Sequence, residues 1–251
     1  MLKPSFLVLA GDGINCERET RDAFEQAGAS GEIIHVNDLL RRPSILNEFS
    51  GLALPGGFSL GDELGSGRIM ALKLRYGMGG ELDKFISAKK PIIGICNGFQ
   101  ILAQMGLLPY LTGGQSMALA TNSKGCFMNR WVKIKTEKTV CKWTALLPES
   151  LELPIRHKEG RVVLSRDSKR DIYGELLEKG QIVFRYEEDV NGSFQNIAGV
   201  CDGEGLILGM MPHPEAFTFS ATARTIRENP LERGVGLLLF ESIVKYLRER
   251  V

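Results

Sequence analysis

Pro91-Ile92-Ile93-Gly94-Ile95-Cys96-Asn97-Gly98-Phe99-Gln100 starts as an apolar run and ends in a cysteine with glycine two positions to either side. Asn97 to Met105 then reads as helix. A strand that becomes a helix within so few residues needs a sharp turn. The arrangement fits a nucleophile elbow, whose central residue is held in a strained conformation with its side chain presented to the surface. The flanking glycines relieve the crowding. At the positive end of the helix the thiol pKa of Cys96 is expected to fall. The backbone N–H of Asn97 would face the same space, where it can stabilise an oxyanion. A buried core cysteine after a strand is the competing reading, and the two glycines favour chemistry.

A cysteine nucleophile needs a base, and the chain has three histidines, His35, His157 and His213. His35 lies within strand-like sequence. His213 sits in Pro212-His213-Pro214-Glu215, where a following proline disfavours helix and predicts a rigid, extended segment. Residues two apart in such a segment face the same way, roughly 6.5 Å apart, so Glu215 can orient His213. Nucleophile, base and orienting acid are then Cys96, His213 and Glu215.

On the amino-terminal side, strands are expected at Ser5–Ala10, Glu32–Val36 and Gly51–Leu54, with a helix over Glu17–Ala27. Gly11-Asp12-Gly13 lacks the third glycine of a dinucleotide fingerprint. Pro55 to Asp62 is glycine-rich and follows a strand, the place where open α/β sheets bind ligands, and a second oxyanion N–H can come from it. Helices are expected over Ile69–Tyr76 and Glu81–Ser87. With the strand before Cys96, four parallel strands assemble.

On the carboxyl side, beyond Gly113-Gly114, alternation over Phe127–Lys135 and short segments at Ile155–Leu164 and Ile182–Tyr186 predict antiparallel additions. Asp202 to Gly205 reads as the turn of a hairpin between Ile197–Cys201 and Leu206–Met211. Ala216 to Arg233 reads as loop. A final helix over Gly234–Arg250 should turn Val235, Leu238, Leu239, Ile243, Tyr246 and Leu247 inward. The fold class is α/β, one domain over residues 1–251.

The 251 residues can bury about 70% of their unfolded surface. Lys plus Arg (31) and Asp plus Glu (30) nearly cancel, which argues against nucleic acid or an anionic membrane as partner. The one early apolar run, Phe6 to Ala10, is too short for a signal peptide or a membrane span, which favours the cytoplasm. Five widely spaced cysteines without a C-x-x-C pair argue against a disulfide framework and a structural metal site.

Together Gly94-x-Cys96-x-Gly98-x-Gln100, Pro55-Gly56-Gly57 and His213-Pro214-Glu215 resemble the class I (triad) glutamine amidotransferases. Longer words, among them Leu54 to Asp62, Arg130-Trp131-Val132, Phe184-Arg185-Tyr186, Asn191-Gly192-Ser193 and Gly209 to Glu215, are similar to those of glutaminase subunits of phosphoribosylformylglycinamidine synthases. Asn15-Cys16 resembles an Asn-Cys after their first strand. The resemblance implies a flavodoxin-like, mainly parallel open sheet with helices on both faces. It implies glutamine as substrate, with ammonia passed to a separate synthetase subunit that acts with a small companion subunit. No cofactor is implied on this chain, ATP and Mg being expected on the synthetase. It assigns the oxyanion N–H groups to Gly57 and Asn97 and glutamine contacts to Phe58, Gln100, His157 and Glu159. The alternatives within reach of the same triad are an amidotransferase of another pathway, such as guanylate, cytidylate or anthranilate, and a stand-alone γ-glutamyl hydrolase. Three positions depart from the family words: Lys158 in place of a glycine, Leu60 of a tyrosine and Ala216 of an arginine.

Overall fold

The structure is a computed structural model that describes residues 3–61, 64–111, 116–165, 170–223 and 232–250. Asp62, Gly113 and Gly114 lie outside the described residues. Its elements are β1 (Ser5–Ala10), α1 (Glu17–Gln26), β2 (Ser30–His35), α2 (Val36–Arg41), β3 (Gly51–Leu54), α3 (Arg68–Gly77), α4 (Glu81–Ser87), β4 (Ile92–Ile95) and α5 (Asn97–Gln104). There follow β5 (Met117–Thr121), β6 (Met128–Thr136), β7 (Ser150–His157), β8 (Glu159–Leu164), α6 (Ile172–Glu178), β9 (Ile182–Tyr186), β10 (Ile197–Cys201), β11 (Ile207–Met210) and α7 (Leu237–Glu249).

Nine strands form one sheet in the order β2-β1-β3-β4-β11-β10-β9-β6-β7. From β2 to β11 every neighbouring pair is parallel. From β11 outward the pairing is antiparallel. The parallel strands read as near-continuous apolar runs because helices cover both faces. On one face the Phe6 and Phe24 rings stack at 3.9 Å between centroids, Phe240 of α7 meets Phe24 edge-on at 4.9 Å, and the buried Trp143 closes the cluster. On the other, Leu74, Leu82 and Leu102 of α3, α4 and α5 converge on Leu54 and Ile92. β5 and β8 form a separate two-stranded sheet.

Several expectations change. The segment 155–164 is two strands in two sheets, because the chain bends at Lys158 between β7 and β8. The strand β5 and the short helices α2 and α6 carry too few residues for a periodic signal. α2 is instead started by His35, whose ring Nδ1 accepts a hydrogen bond from the Asn37 N–H at 3.2 Å. α7 buries Phe240 and Val244 with Leu239 and Ile243, while Leu238, Tyr246 and Leu247 are only half-buried. The segment after His213 is not extended. Pro214–Phe217 is a 3₁₀ turn with proline at its start, a position that suits proline's fixed φ. Part of the stretch expected as loop, Ser220–Thr222, forms a second such turn.

Candidate active site

Four adjacent parallel strands, β1, β3, β4 and β11, end on the same edge of the sheet, and the loops that leave them meet there. Each brings one part of the site.

The loop after β4 is a single residue. Cys96 has φ 52° and ψ −103° and caps α5 directly. Its N–H donates to the Met210 carbonyl at 2.8 Å, so the strained residue is fixed to the neighbouring strand. Its two glycines are required by contact. A Cβ on Gly94 would lie 2.5 Å from the Gly98 oxygen, and one on Gly98 would lie 1.8 Å from the Leu54 oxygen. Helix, strand and the end of β3 thus close on one another without side chains between them. The Cys96 thiol, 4% exposed as a residue, faces the Arg156 carbonyl at 3.5 Å.

Beyond β11, His213 keeps an extended backbone, and its N–H donates to the Pro154 carbonyl at 2.9 Å. Because Pro214 turns the chain at once, Glu215 folds back and its Oε1 lies 2.6 Å from His213 Nδ1. The contact arises from that turn, and not from the same-face geometry of an extended segment. Both side chains are buried. Burial alone would depress the ring's pKa, but the Glu215 carboxylate, Cys96 and Cys16 outweigh it and hold His213 well above the usual histidine range. His213 Nε2 and Glu215 Oε2 are buried without hydrogen-bond partners.

The loop after β3 is zipped to the loop after β1. Asn15 N–H donates to the Gly56 carbonyl at 3.3 Å and Phe58 N–H to the Gly13 carbonyl at 2.7 Å, which makes Ile14 and Gly57 a bridged antiparallel pair. The flanking residues make the bonds, so the N–H of Gly57 faces away from the Asp12–Cys16 segment. Gly57 has φ +147°, and a Cβ there would lie 2.5 Å from the Gly13 oxygen. Ser59 N–H donates to Asn97 Oδ1 at 3.2 Å, tying the loop to the start of α5. The Phe58 ring is 40% exposed and faces the ring of Phe127 at 6.0 Å.

Gln100, expected to contact glutamine, has both polar atoms of its side chain engaged within the protein. Its Oε1 accepts from Asn97 Nδ2 at 2.8 Å and its Nε2 donates to the Glu159 carbonyl. It therefore joins α5 to the start of β8. The Glu159 carboxylate accepts the Ser66 N–H at 3.0 Å. His157 is 2% exposed, with Nδ1 at 3.1 Å from Asn122 Oδ1. Burial and then the positive charge of His213 push its pKa down to about 3. Gly160 abuts its ring: a Cβ there would lie 2.3 Å from Nδ1. Lys158 is not among the non-glycine residues of positive φ, so the position has no conformational need for glycine.

Asn122 was not singled out by the sequence, and Cys16 and Tyr186, though within family-like words, were given no role. Asn122 holds the turn between β7 and β8 by donating to the His157 and Cys126 carbonyls at 2.9 and 3.0 Å. Tyr186 is buried near Cys96, and burial raises its phenol pKa. Cys16 lies against the His213–Glu215 pair. Its thiol is raised above its ordinary pKa by burial, with Glu215 adding to the effect and His213 opposing it. The available signals were the Asn15-Cys16 word and its place after the carboxyl end of a parallel strand.

Residues 3–247 match the CobB/CobQ-like glutamine amidotransferase domain family. The chain is 40% identical over 232 residues to the phosphoribosylformylglycinamidine synthase subunit PurQ of Methanococcus maripaludis, covering 86% of this chain and 84% of that protein. It is 37% identical over 255 residues to the PurQ subunit of Dehalococcoides mccartyi, covering 99% and 100%. Among solved structures it superposes on a chain of PurLQS from Thermotoga maritima with a TM-score of 0.77 at 33% identity, covering 98% of this chain and 100% of that one. A putative GMP synthase subunit from Thermoplasma acidophilum has a TM-score of 0.61 at 16% identity, a likeness of fold alone.

Proposed function

The chain belongs to the CobB/CobQ-like glutamine amidotransferase family, among the PurQ subunits of phosphoribosylformylglycinamidine synthase, and from that premise we propose that it hydrolyses glutamine to supply ammonia for phosphoribosylformylglycinamidine synthesis. The observation that carries the reading is the left-handed Cys96 at the head of α5 beside the buried His213–Glu215 pair.

In this reading Cys96 attacks the side-chain carboxamide carbon of glutamine as a thiolate, with His213 holding its proton. The tetrahedral oxyanion is met by the N–H groups of Asn97 and Gly57. His213 returns the proton to the leaving nitrogen, ammonia departs and a γ-glutamyl thioester remains on Cys96. His213 then draws a proton from water as the water attacks the thioester, and glutamate is released. Glu215 fixes the tautomer of His213 and stabilises its charged form. Phe58, His157 and Glu159 line the approach for glutamine, and Gln100 acts by bracing α5.

The ammonia goes to a synthetase subunit, acting with a small companion subunit, that carries the ATP and Mg. The PurLQS neighbour supports that partnership, as its name joins three subunits. The domain spans the whole chain and works in the cytoplasm. Among the described residues no helix is long and apolar enough to cross a membrane.

The test is glutamate release by the full chain with the synthetase, its small partner, ATP and formylglycinamide ribonucleotide. Activity should rise with those partners and be lost in Cys96→Ser, by on the order of 10⁴-fold or more if removal of a triad nucleophile costs what it usually does. Ammonia transfer that responds to a guanylate-forming synthetase instead would overturn the choice of pathway.

A further inference from the structure

Outside the nucleophile itself, the densest group of chemically potent side chains is Cys16, His213 and Glu215. One ligand atom from each, the Cys16 sulfur, a ring nitrogen of His213 and a carboxylate oxygen of Glu215, lies within 4.8 Å of the other two, and all three residues are buried. Among the described residues no other three His, Cys, Asp or Glu side chains come together in this way. Spacing along the chain gives no hint of it, since the residues come from the loops after β1 and β11.

We propose that these three side chains form a regulatory binding site for a thiophilic divalent cation, Zn²⁺ above all, which shuts off the base when occupied. The donor set is one sulfur, one imidazole and one carboxylate, the types that tetrahedral zinc takes. Ligand atoms at about 2.0–2.3 Å from such an ion stand roughly 3.3–3.8 Å from one another, so a group already inside 4.8 Å needs side-chain adjustment only. The His213–Glu215 contact at 2.6 Å has to open slightly. Glu215 has a spare donor for this, because Oε2 is buried and unpartnered. The backbone holds Cys16 in place: its N–H donates to the Gly56 carbonyl at 3.3 Å, and Thr20 Oγ1 donates to its carbonyl at 2.7 Å. The wall behind is Gly56, where a Cβ would lie 2.7 Å from His213 Cε1 and 3.3 Å from the Cys16 sulfur. A fourth coordination position is left for water.

Binding releases to solvent the Cys16 proton and, from the charged imidazole, the proton on the His213 ring nitrogen that the metal takes. No other covalent bond within the protein breaks and no electron is transferred. A metal-bound His213 is withdrawn from proton transfer with Cys96. This consequence rests on the catalytic roles proposed above, whereas the binding itself does not.

Co²⁺ added to the reduced full chain without glutamine tests the site by the near-ultraviolet thiolate-to-metal absorption, with Zn²⁺ affinity read by displacement of Co²⁺. Cys96→Ser should keep the band. Cys16→Ser should lose it, and its Zn²⁺ affinity should fall by roughly 10-fold or more, given that outer-shell partners alone are worth 10–100-fold. A band that survives in Cys16→Ser, or vanishes in Cys96→Ser, overturns the proposal by placing the metal on another thiol. If Cys16→Ser does not fold, Glu215→Gln decides, and an unchanged Zn²⁺ affinity in that variant is equally fatal. Zn²⁺ inhibition of glutamate release should be relieved in a folded Cys16→Ser; inhibition that persists unchanged overturns the regulatory role of the site, whereas loss of the glutaminase activity itself would bear only on the catalytic reading.

Discussion

Each half of the nine-stranded sheet delivers one buried histidine to the same neighbourhood, and the two are driven in opposite directions. His213 follows β11 in the parallel half, is 2% exposed and is pushed well above the ordinary histidine pKa. His157 ends β7 in the antiparallel half, is also 2% exposed and is pushed down to about 3. Equal burial penalises the charged form of both. The difference is the partner: His213 has a carboxylate at 2.6 Å, His157 the neutral amide oxygen of Asn122 at 3.1 Å. An imidazole meant to accept and return a proton needs the carboxylate, whereas one meant to hold a wall needs only a neutral acceptor. In the proposed mechanism the parallel half supplies the reacting groups, while the antiparallel half places the Arg156 carbonyl, His157 and Tyr186 around them.

The largest test of this contrast is the pair of alanine variants. His213→Ala should lower kcat by roughly 10³-fold or more, as expected when a triad base is removed. His157→Ala should act chiefly on the KM for glutamine or on coupling to the synthetase. Steady-state glutaminase assays of the two separate them, and interchanged defects would reverse the assignment of the base.

Next in size is Glu215→Gln, which keeps the shape of the pair and removes its charge. The neutral amide no longer offsets the burial of His213, so the ring's pKa should drop and the inflection it gives to kcat/KM should move to lower pH, with a loss in kcat on the order of 10²-fold or more. A pH–rate profile that keeps the wild-type inflection would mean that Cys96 and Cys16, not Glu215, set the basicity of His213.

How much of this was legible in the sequence differs between the halves for a physical reason. The elbow could be read because its pattern is compressed into a few residues: Gly94 is kept small by the Gly98 oxygen four positions on, although Gly98 itself answers to the Leu54 oxygen at the end of β3. The hairpin of β10 and β11 was local too, with Asp202 Oδ1 accepting the Leu206 and Ile207 N–H groups at 2.8 Å each. Cys16 was opaque, because its contact with His213 exists only once β1, β3, β4 and β11 lie side by side. The path to Glu215 was misread because Pro214 was read only as extending the chain. It extends the residue before it but also starts a turn. The bracing contacts of Gln100 could not be read, because one of its partners, Glu159, lies far along the chain in the separate sheet of β5 and β8.

The smallest expected effect is on stability, and it gives the two histidines opposite signatures. For His157 the unfolded value is 6.5 and the folded one about 3, so between those values the unfolded chain binds the extra proton. Stability then falls as pH drops through that window, by at most about 1.4 kcal/mol per pH unit from this group. For His213 the folded value is raised, so its contribution is fully present below 6.5 and is lost as pH rises from there through the folded value. The windows meet near 6.5 and do not overlap. His157→Asn, whose amide can still donate to Asn122 Oδ1 from the place of Nδ1, should remove the acid-side component and leave the alkaline side unchanged. Urea midpoints taken at intervals from pH 4 to 9 on wild type and variant give the difference directly. If the variant's acid-side slope equals that of wild type, His157 is not held neutral in the fold, and the contrast between the two halves loses its electrostatic basis.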